Sequence, residues 1–178
     1  MQKSLVIIGT VIFASAVMLG AGLYFGSIES VPVDSFEECL EAGYPVMESY
    51  PRQCRAGDKN FSEDIGNELE KASILRVTRP RPNEVVSNPL EIRGEARGLW
   101  FFEAEFPVVF LDDRGTQIGF AIARAQGEWM SEDFVPFSSV MEFESSESVS
   151  GILLFKKSNP SGLPEYDDEL RMPVKFVK

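Results

Sequence analysis

Every second residue from Trp100 is apolar: Trp100, Phe102, Ala104, Phe106, Val108 and Phe110, while the intervening row holds Phe101, Glu103, Glu105 and Pro107. Alternation at this period predicts a β-strand with one face in a core and the other largely toward water. Asp112, Asp113 and Gly115 then supply hairpin-turn chemistry. The partner strand sets Ile118, Phe120 and Ile122 on one face and the small Gly119, Ala121 and Ala123 on the other. Ile74 to Val77, Leu90 to Arg97, Met141 with Phe143, Gly151 to Phe155 and Leu170 to Phe176 read as further short strands. Glu128 to Phe137 is rich in aromatics, and Pro136 makes it an edge or crossing segment.

This pattern, about seven short strands with turn residues between them and no convincing helix, predicts an all-β fold over residues 73–178, an immunoglobulin-like β-sandwich. A small barrel fits the strand count almost as well. No cysteine lies in this stretch, so Phe and Trp are expected to fill the core where antibody domains place a disulfide.

The residues before it have a different texture. Leu5 to Phe25 is apolar without one charge, and about 20 residues at about 1.5 Å each match the roughly 30 Å of bilayer hydrocarbon. Residues 1–27 are therefore read as an N-terminal transmembrane helix acting as a signal anchor. Lys3 and the amino terminus are the only positive charges ahead of it, which favours the short end inside and the C-terminal domain extracytoplasmic. The competing reading is a signal peptide cleaved after Ala14-Ser15-Ala16. Ala16 with Gly20 and Gly22 with Gly26 have the small-residue spacing of close helix pairing.

Residues 28–62 hold the only two cysteines, Cys39 and Cys54. Ser35 and Glu38 form a capping box, and Gly43 suits a helix end, so a short helix is expected over Phe36 to Ala42. Gly57 to Asn60 reads as the turn of a hairpin from Gln53 to Ser62. In an exported chain the two thiols are expected to form a disulfide, worth roughly 3 kcal/mol for a loop of about 15 residues. This is the small disulfide-bonded α/β module of the expected fold. Residues 63–72 are charged, with few large apolar groups, and read as a linker.

Composition narrows the chemistry. The 17 basic and 28 acidic residues give a net charge of −11, which argues against nucleic acid as a partner because phosphate contacts need clustered Lys and Arg. There is no histidine, so the usual general base, the Ser-His and Cys-His pairs and the commonest transition-metal ligand are absent together. No catalytic residue, no metal ligand set and no cofactor is expected. Phe101 and Glu103 form a candidate contact patch on the wet row of their strand, although Phe101 fits equally well under a loop; Trp129, Phe134 and Phe137 are placed with them as a possible groove lining. Glu165, Asp167, Asp168 and Glu169, with Asn159, offer oxygen ligands that suit calcium, but an acidic solvated turn explains them as well. The same carboxylates define the enzymatic alternative, a glycan hydrolase with an acid and base pair; a purely structural spacer is a third reading.

Two resemblances add to this. Tyr50-Pro51-Arg52-Gln53-Cys54, within Phe36 to Phe61, resembles a short motif of exported bacterial proteins and implies no activity. Gly94-Glu-Ala-Arg-Gly with Trp100-Phe-Phe-Glu, Phe106-Pro-Val, Gly127-Glu-Trp, Asp133-Phe-Val-Pro-Phe137 and Ser158-Asn-Pro-Ser-Gly-Leu-Pro164 together resemble the immunoglobulin-like domain of bacterial spore germination proteins. That resemblance covers roughly Leu75 to Val177 and implies an extracytoplasmic, non-enzymatic interaction module. The expectation is a membrane-anchored binding module, single-pass in the cell membrane, contacting an envelope protein or a cell-wall polymer.

Overall fold

The computed structural model describes residues 32–144 and 147–176. The cysteine module opens with helix α1 (Phe36–Glu41), whose first turn is capped by the Ser35 hydroxyl accepting from the Glu38 N–H at 3.1 Å. The Glu38 carboxylate reaches back to the Asp34 N–H at 2.8 Å, so two otherwise unpaired donors are satisfied reciprocally. Strands β1 (Val46–Met47), β2 (Gln53–Ala56) and β3 (Lys59–Ser62) form a three-stranded antiparallel sheet. The Cys39–Cys54 disulfide joins α1 to β2, and with Val33 and Phe36 it makes up the buried centre of the module. So few buried apolar groups cannot offset the entropy of ordering about 30 residues, and the cross-link makes up much of the difference.

The main domain is a sandwich. One layer holds β4 (Leu75–Arg79), β6 (Leu90–Arg97) and β9 (Phe134–Met141). The other holds β8 (Gln117–Ala125), β7 (Glu105–Asp112), β10 (Ser150–Lys156) and β11 (Glu169–Phe176), with the two-residue β5 (Val85–Val86) running parallel on the edge of β11. Pairing of Arg124 with Ser138 and Ala125 with Phe137 links the layers along one side. Between them lie Trp100, Phe106, Phe110, Phe137 and Phe155, all buried, with aliphatic side chains from every long strand. Phe106 meets Phe137 edge-on at 4.9 Å, and Phe110 meets Phe176 at 5.6 Å, the geometry in which ring edge and ring face attract.

The row that starts at Trp100 is not one continuous strand. Gly98–Trp100 forms a single 3-10 turn, and β7 starts only at Glu105. Between them Phe102 and Glu105 exchange two backbone hydrogen bonds of 3.0 and 3.1 Å around Glu103 and Ala104, both at positive φ. This two-residue hairpin turn resets the alternation, so Phe101 is buried at 5% exposure while Phe102 stands out at 45%. Strand β8 also faces opposite to the ordinary rule of large residues inward. Gly119, Ala121 and Ala123 lie opposite Phe110, Val108 and Phe106, so the small row faces the core and Phe120 faces out.

The expected fold class needs one correction. It included a membrane-spanning helix, but among the described residues no helix is long and apolar enough to cross a membrane; the two α-helices have six and four residues. The fold supported is an all-β sandwich with a disulfide-bonded module, without that element. Leu5 to Phe25, on which the expectation was placed, lies outside the described residues.

Residues 63–72 lie along the edge of β11. Asn67 accepts the Arg171 N–H through its side chain at 2.7 Å, donates its side-chain amide to the Glu169 carbonyl at 3.0 Å, and donates its backbone N–H to the Arg171 carbonyl at 3.3 Å. Asn83 and Glu84 continue the row at Pro173 and Lys175. An open strand edge, which would otherwise invite pairing with another chain, is thereby occupied. Helix α2 (Glu68–Lys71) follows Asn67.

Two buried carboxylates tie the module to the sandwich. Glu63 receives the Arg52 guanidinium, with Nε at 2.8 Å, and the Asn83 amide at 3.1 Å. Glu68 pairs with Arg81 at 3.0 Å and accepts the Tyr50 hydroxyl. The Arg52 hydrogen bond holds the Glu63 carboxyl below the ordinary carboxylate range, whereas burial pushes the Glu68 carboxyl up against the opposing pull of Arg81. A depressed carboxylate contributes stability that is present above its unfolded pKa and is lost as pH falls through its folded value. Glu63→Gln is therefore expected to cost about 1–3 kcal/mol at neutral pH, and the difference from the parent chain should shrink as pH falls below about 4. Denaturant midpoints measured across the acid range check this; a difference that stayed constant with pH would show that Glu63 is not held ionised.

Candidate functional site

At one end of the sandwich the loops 98–104, 126–133 and 157–168 come together. The Gly98 N–H donates to the Ser131 carbonyl at 3.0 Å, and the Ser158 N–H donates to the Trp100 carbonyl at 3.0 Å. A Cβ on Gly98 would fall 2.3 Å from the Ser131 oxygen and 2.4 Å from the Trp129 oxygen, closer than real Cβ atoms come, so glycine is what lets the first two loops touch. Arg97 fastens the base, donating to the Ser73 carbonyl at 2.7 Å and to the Glu132 carbonyl. The Arg76 and Arg97 guanidiniums lie 4.0 and 4.6 Å from the centroid of the Phe134 ring, a cation–π arrangement.

On this clamped base sits a cavity of about 560 Å³, lined by Arg97, Gly98, Leu99, Trp129, Met130, Ser131 and Glu132. Leu99 is 81% exposed and Met130 74%. A leucine and a methionine this open beside a tryptophan are unusual, since burying either side chain is worth about 1.5–3 kcal/mol. Trp129 itself is partly buried and packs on the core.

Of the residues singled out from the sequence, the structure places Trp129 in the lining of this cavity and Phe134 beneath the neighbouring arginines. Glu103 is exposed on the two-residue turn of the same end. Phe101 and Phe137 are buried in the core, at 5% and 2% exposure. Leu99 and Met130 were not among them. Leu99 precedes the alternating row, and Met130 follows Trp129 in a short stretch without alternation, so neither belongs to a period that marks a surface.

The acidic loop is occupied by structural contacts. Asp167 accepts the Asn159 amide at 2.8 Å, Asp168 pairs with Lys71, and Glu169 pairs with Arg171 at 2.8 Å. Among the described residues no group of three or more His, Cys, Asp or Glu side chains is placed to hold a metal ion.

A second, wider concavity of about 990 Å³ crosses the outer faces of β6, β8 and β9, lined by Glu91, Arg93, Phe120, Ile122, Arg124 and Val140 among others. Strands β8 and β9 share one register at both ends, with Arg124 opposite Ser138 and Gly119 opposite Phe143, and splay between. The Ser139 hydroxyl spans the gap to the Ile122 carbonyl at 2.9 Å.

These features describe a sandwich of immunoglobulin-like topology that displays a small apolar site on joined loops. The family model for the immunoglobulin-like domain of bacterial spore germination matches residues 74–162, half of the chain, and the chain belongs to that family. No curated protein and no solved structure matches it. The family match begins at the start of β4 and ends within the 157–168 loop, so both apolar loop tips lie inside it and β11 lies beyond it. Domains of this family are typically non-catalytic binding or structural modules.

Gly98→Ala is expected to force the two loops apart and to destabilise the chain by about 1–3 kcal/mol, with the Trp129 emission moving toward that of a solvated indole. Gly127→Ala, where an added Cβ meets nothing within 4 Å, serves as the control and should change neither. Denaturant unfolding followed by fluorescence checks both; equal behaviour of the two variants would mean that the loops are not clamped through Gly98.

Proposed function

We propose that this chain is a non-enzymatic binding module that works outside the cytoplasm and contacts an envelope protein or a cell-wall polymer through the loop end carrying Leu99, Trp129 and Met130. The observation that carries the reading is the combination of apolar side chains left in water with a backbone locked beneath them. An apolar group held in place loses little further freedom on binding, so most of its burial energy appears as affinity. Mobile apolar tips would bring no such advantage.

The cross-link supports this compartment. Disulfides persist in oxidising surroundings and are rare among cytosolic proteins, and the Cys39–Cys54 bridge holds together a module with very little core of its own. The bound edge of β11 further supports recognition by side chains over strand addition, since its outward backbone groups already have partners.

Capture from envelope extract by the full chain, compared with a Leu99→Ser/Met130→Ser chain, tests the reading. Both positions are exposed, so the double variant is expected to fold with unchanged stability, within about 0.5 kcal/mol per site, and to lose at least about tenfold in retained partner. Retention equal to the parent chain would remove the loop end as the binding surface.

A further inference from the structure

The loop end carries a charge signature that narrows its partner. Its three loops, 98–104, 126–133 and 157–168, contain seven carboxylates, Glu103, Glu128, Glu132, Asp133, Glu165, Asp167 and Asp168, against the single cation Lys157. Elsewhere the chain matches many of its acids to cations: Arg76 with Glu95, Arg79 and Arg93 with Glu91, Arg124 with Glu105 and Arg171 with Glu169 are all ion pairs. At the loop end only Asp168 has such a partner, Lys71; Glu103, Glu128, Glu132, Asp133 and Glu165 make no ion pair among the described residues. Arg97 also lines the cavity and keeps its positive charge there, its guanidinium held by the Ser73 and Glu132 carbonyls and the Phe134 ring; the three acids Glu128, Glu132 and Asp133 outnumber it.

Glu132 lines the cavity directly, while Glu128 and Asp133 flank the stretch that carries Trp129 and Met130. An apolar hollow with an unneutralised acidic rim attracts a ligand that combines apolar side chains with positive charge and repels anionic ones, because exposed charges of one sign set both the approach rate and the rejection of wrong partners. Polyanionic wall polymers and anionic lipid surfaces carry the wrong sign for it. Resting on the reading of the loop end as the binding surface, we infer that its partner is a protein segment bearing apolar side chains interspersed with Lys or Arg, docking with its apolar groups on Leu99, Trp129 and Met130 and its cations on the Glu128, Glu132 and Asp133 rim.

The test uses the full chain and four immobilised probes: a peptide of alternating leucine and lysine, its leucine–glutamate counterpart, a leucine–serine peptide and inorganic polyphosphate. The parent chain is expected to be retained on the leucine–lysine peptide at low salt, with retention falling as salt rises. A Glu128→Gln/Glu132→Gln/Asp133→Asn chain should lose about tenfold of that retention and most of its salt dependence, and the Leu99→Ser/Met130→Ser chain should lose about as much. Two outcomes overturn the inference while leaving the loop end as a binding surface: retention on polyphosphate or the leucine–glutamate peptide that the leucine and methionine changes abolish, or retention on the leucine–lysine peptide that the triple charge variant leaves unchanged. Retention on the leucine–lysine peptide that falls in the charge variant but not in the Leu99→Ser/Met130→Ser chain marks plain charge attraction and overturns it as well. Binding of every probe that is indifferent to both variants sinks the loop-end reading itself.

Discussion

The sandwich depends on aromatic rings packed against backbone that carries no side chain. The Phe137 ring lies where a Cβ on Gly94 would stand, 2.5 Å from its Cζ, and the Phe110 ring lies 2.8 Å from where a Cβ on Gly151 would be. These contacts set the rings within each layer; with no disulfide between the layers, Phe106 packed edge-on against Phe137 across them, together with the buried Trp100, helps hold the two sheets together. Close-packed interiors lose stability with each missing or added methyl group, so the ring positions fix the spacing of the layers and, through Trp100, the place where the 98–104 loop begins. Trp100 meets this role by packing, since among the described residues its buried indole N–H has no hydrogen-bond partner.

From that anchor the loop end follows in short steps. Trp100 is buried and its carbonyl accepts from Ser158, while Gly98 is pressed on the 129–131 backbone. Leu99, between them, has nowhere to point but outward. The exposed leucine is a consequence of two fixed neighbours, and the same clamp displays Met130 on the facing loop. Along the β11 edge, Asn67, Asn83 and Glu84 occupy the outward backbone groups, and Glu63 and Glu68 join the cysteine module to the sandwich. Backbone pairing and module docking are thus used up along the β11 edge, while the loop end keeps an apolar surface beside carboxylates most of which make no ion pair among the described residues.

Much of this was legible in the chain. The alternation from Phe106 to Phe110, the capping box at Ser35 and the pairing of the only two cysteines follow from side-chain chemistry that acts locally. What was hidden depended on tertiary context. Glu103 and Ala104 adopt left-handed backbone without the glycine or asparagine that signals such a turn, so the row from Trp100 read as one strand and the exposure of Phe101 and Phe102 was inverted. Strand β5 has two residues and exists only through its pairing with β11. The small face of β8 turns inward because Phe106, Val108 and Phe110 on the neighbouring strand already fill that space, which no single-strand pattern reveals. The docking of 63–72 uses an asparagine that copies a strand, together with ion pairs from Glu68 and Lys71, contacts that composition cannot announce.

The central claim is that the chain works through its loop end and not through the wide groove on β8 and β9. A photoreactive residue placed at Leu99 or Met130, and in separate chains at Phe120 or Val140, would decide between the two surfaces in intact cells. The account predicts cross-linked adducts from positions 99 and 130 and none from 120 and 140. Adducts from 120 and 140 alone would contradict it.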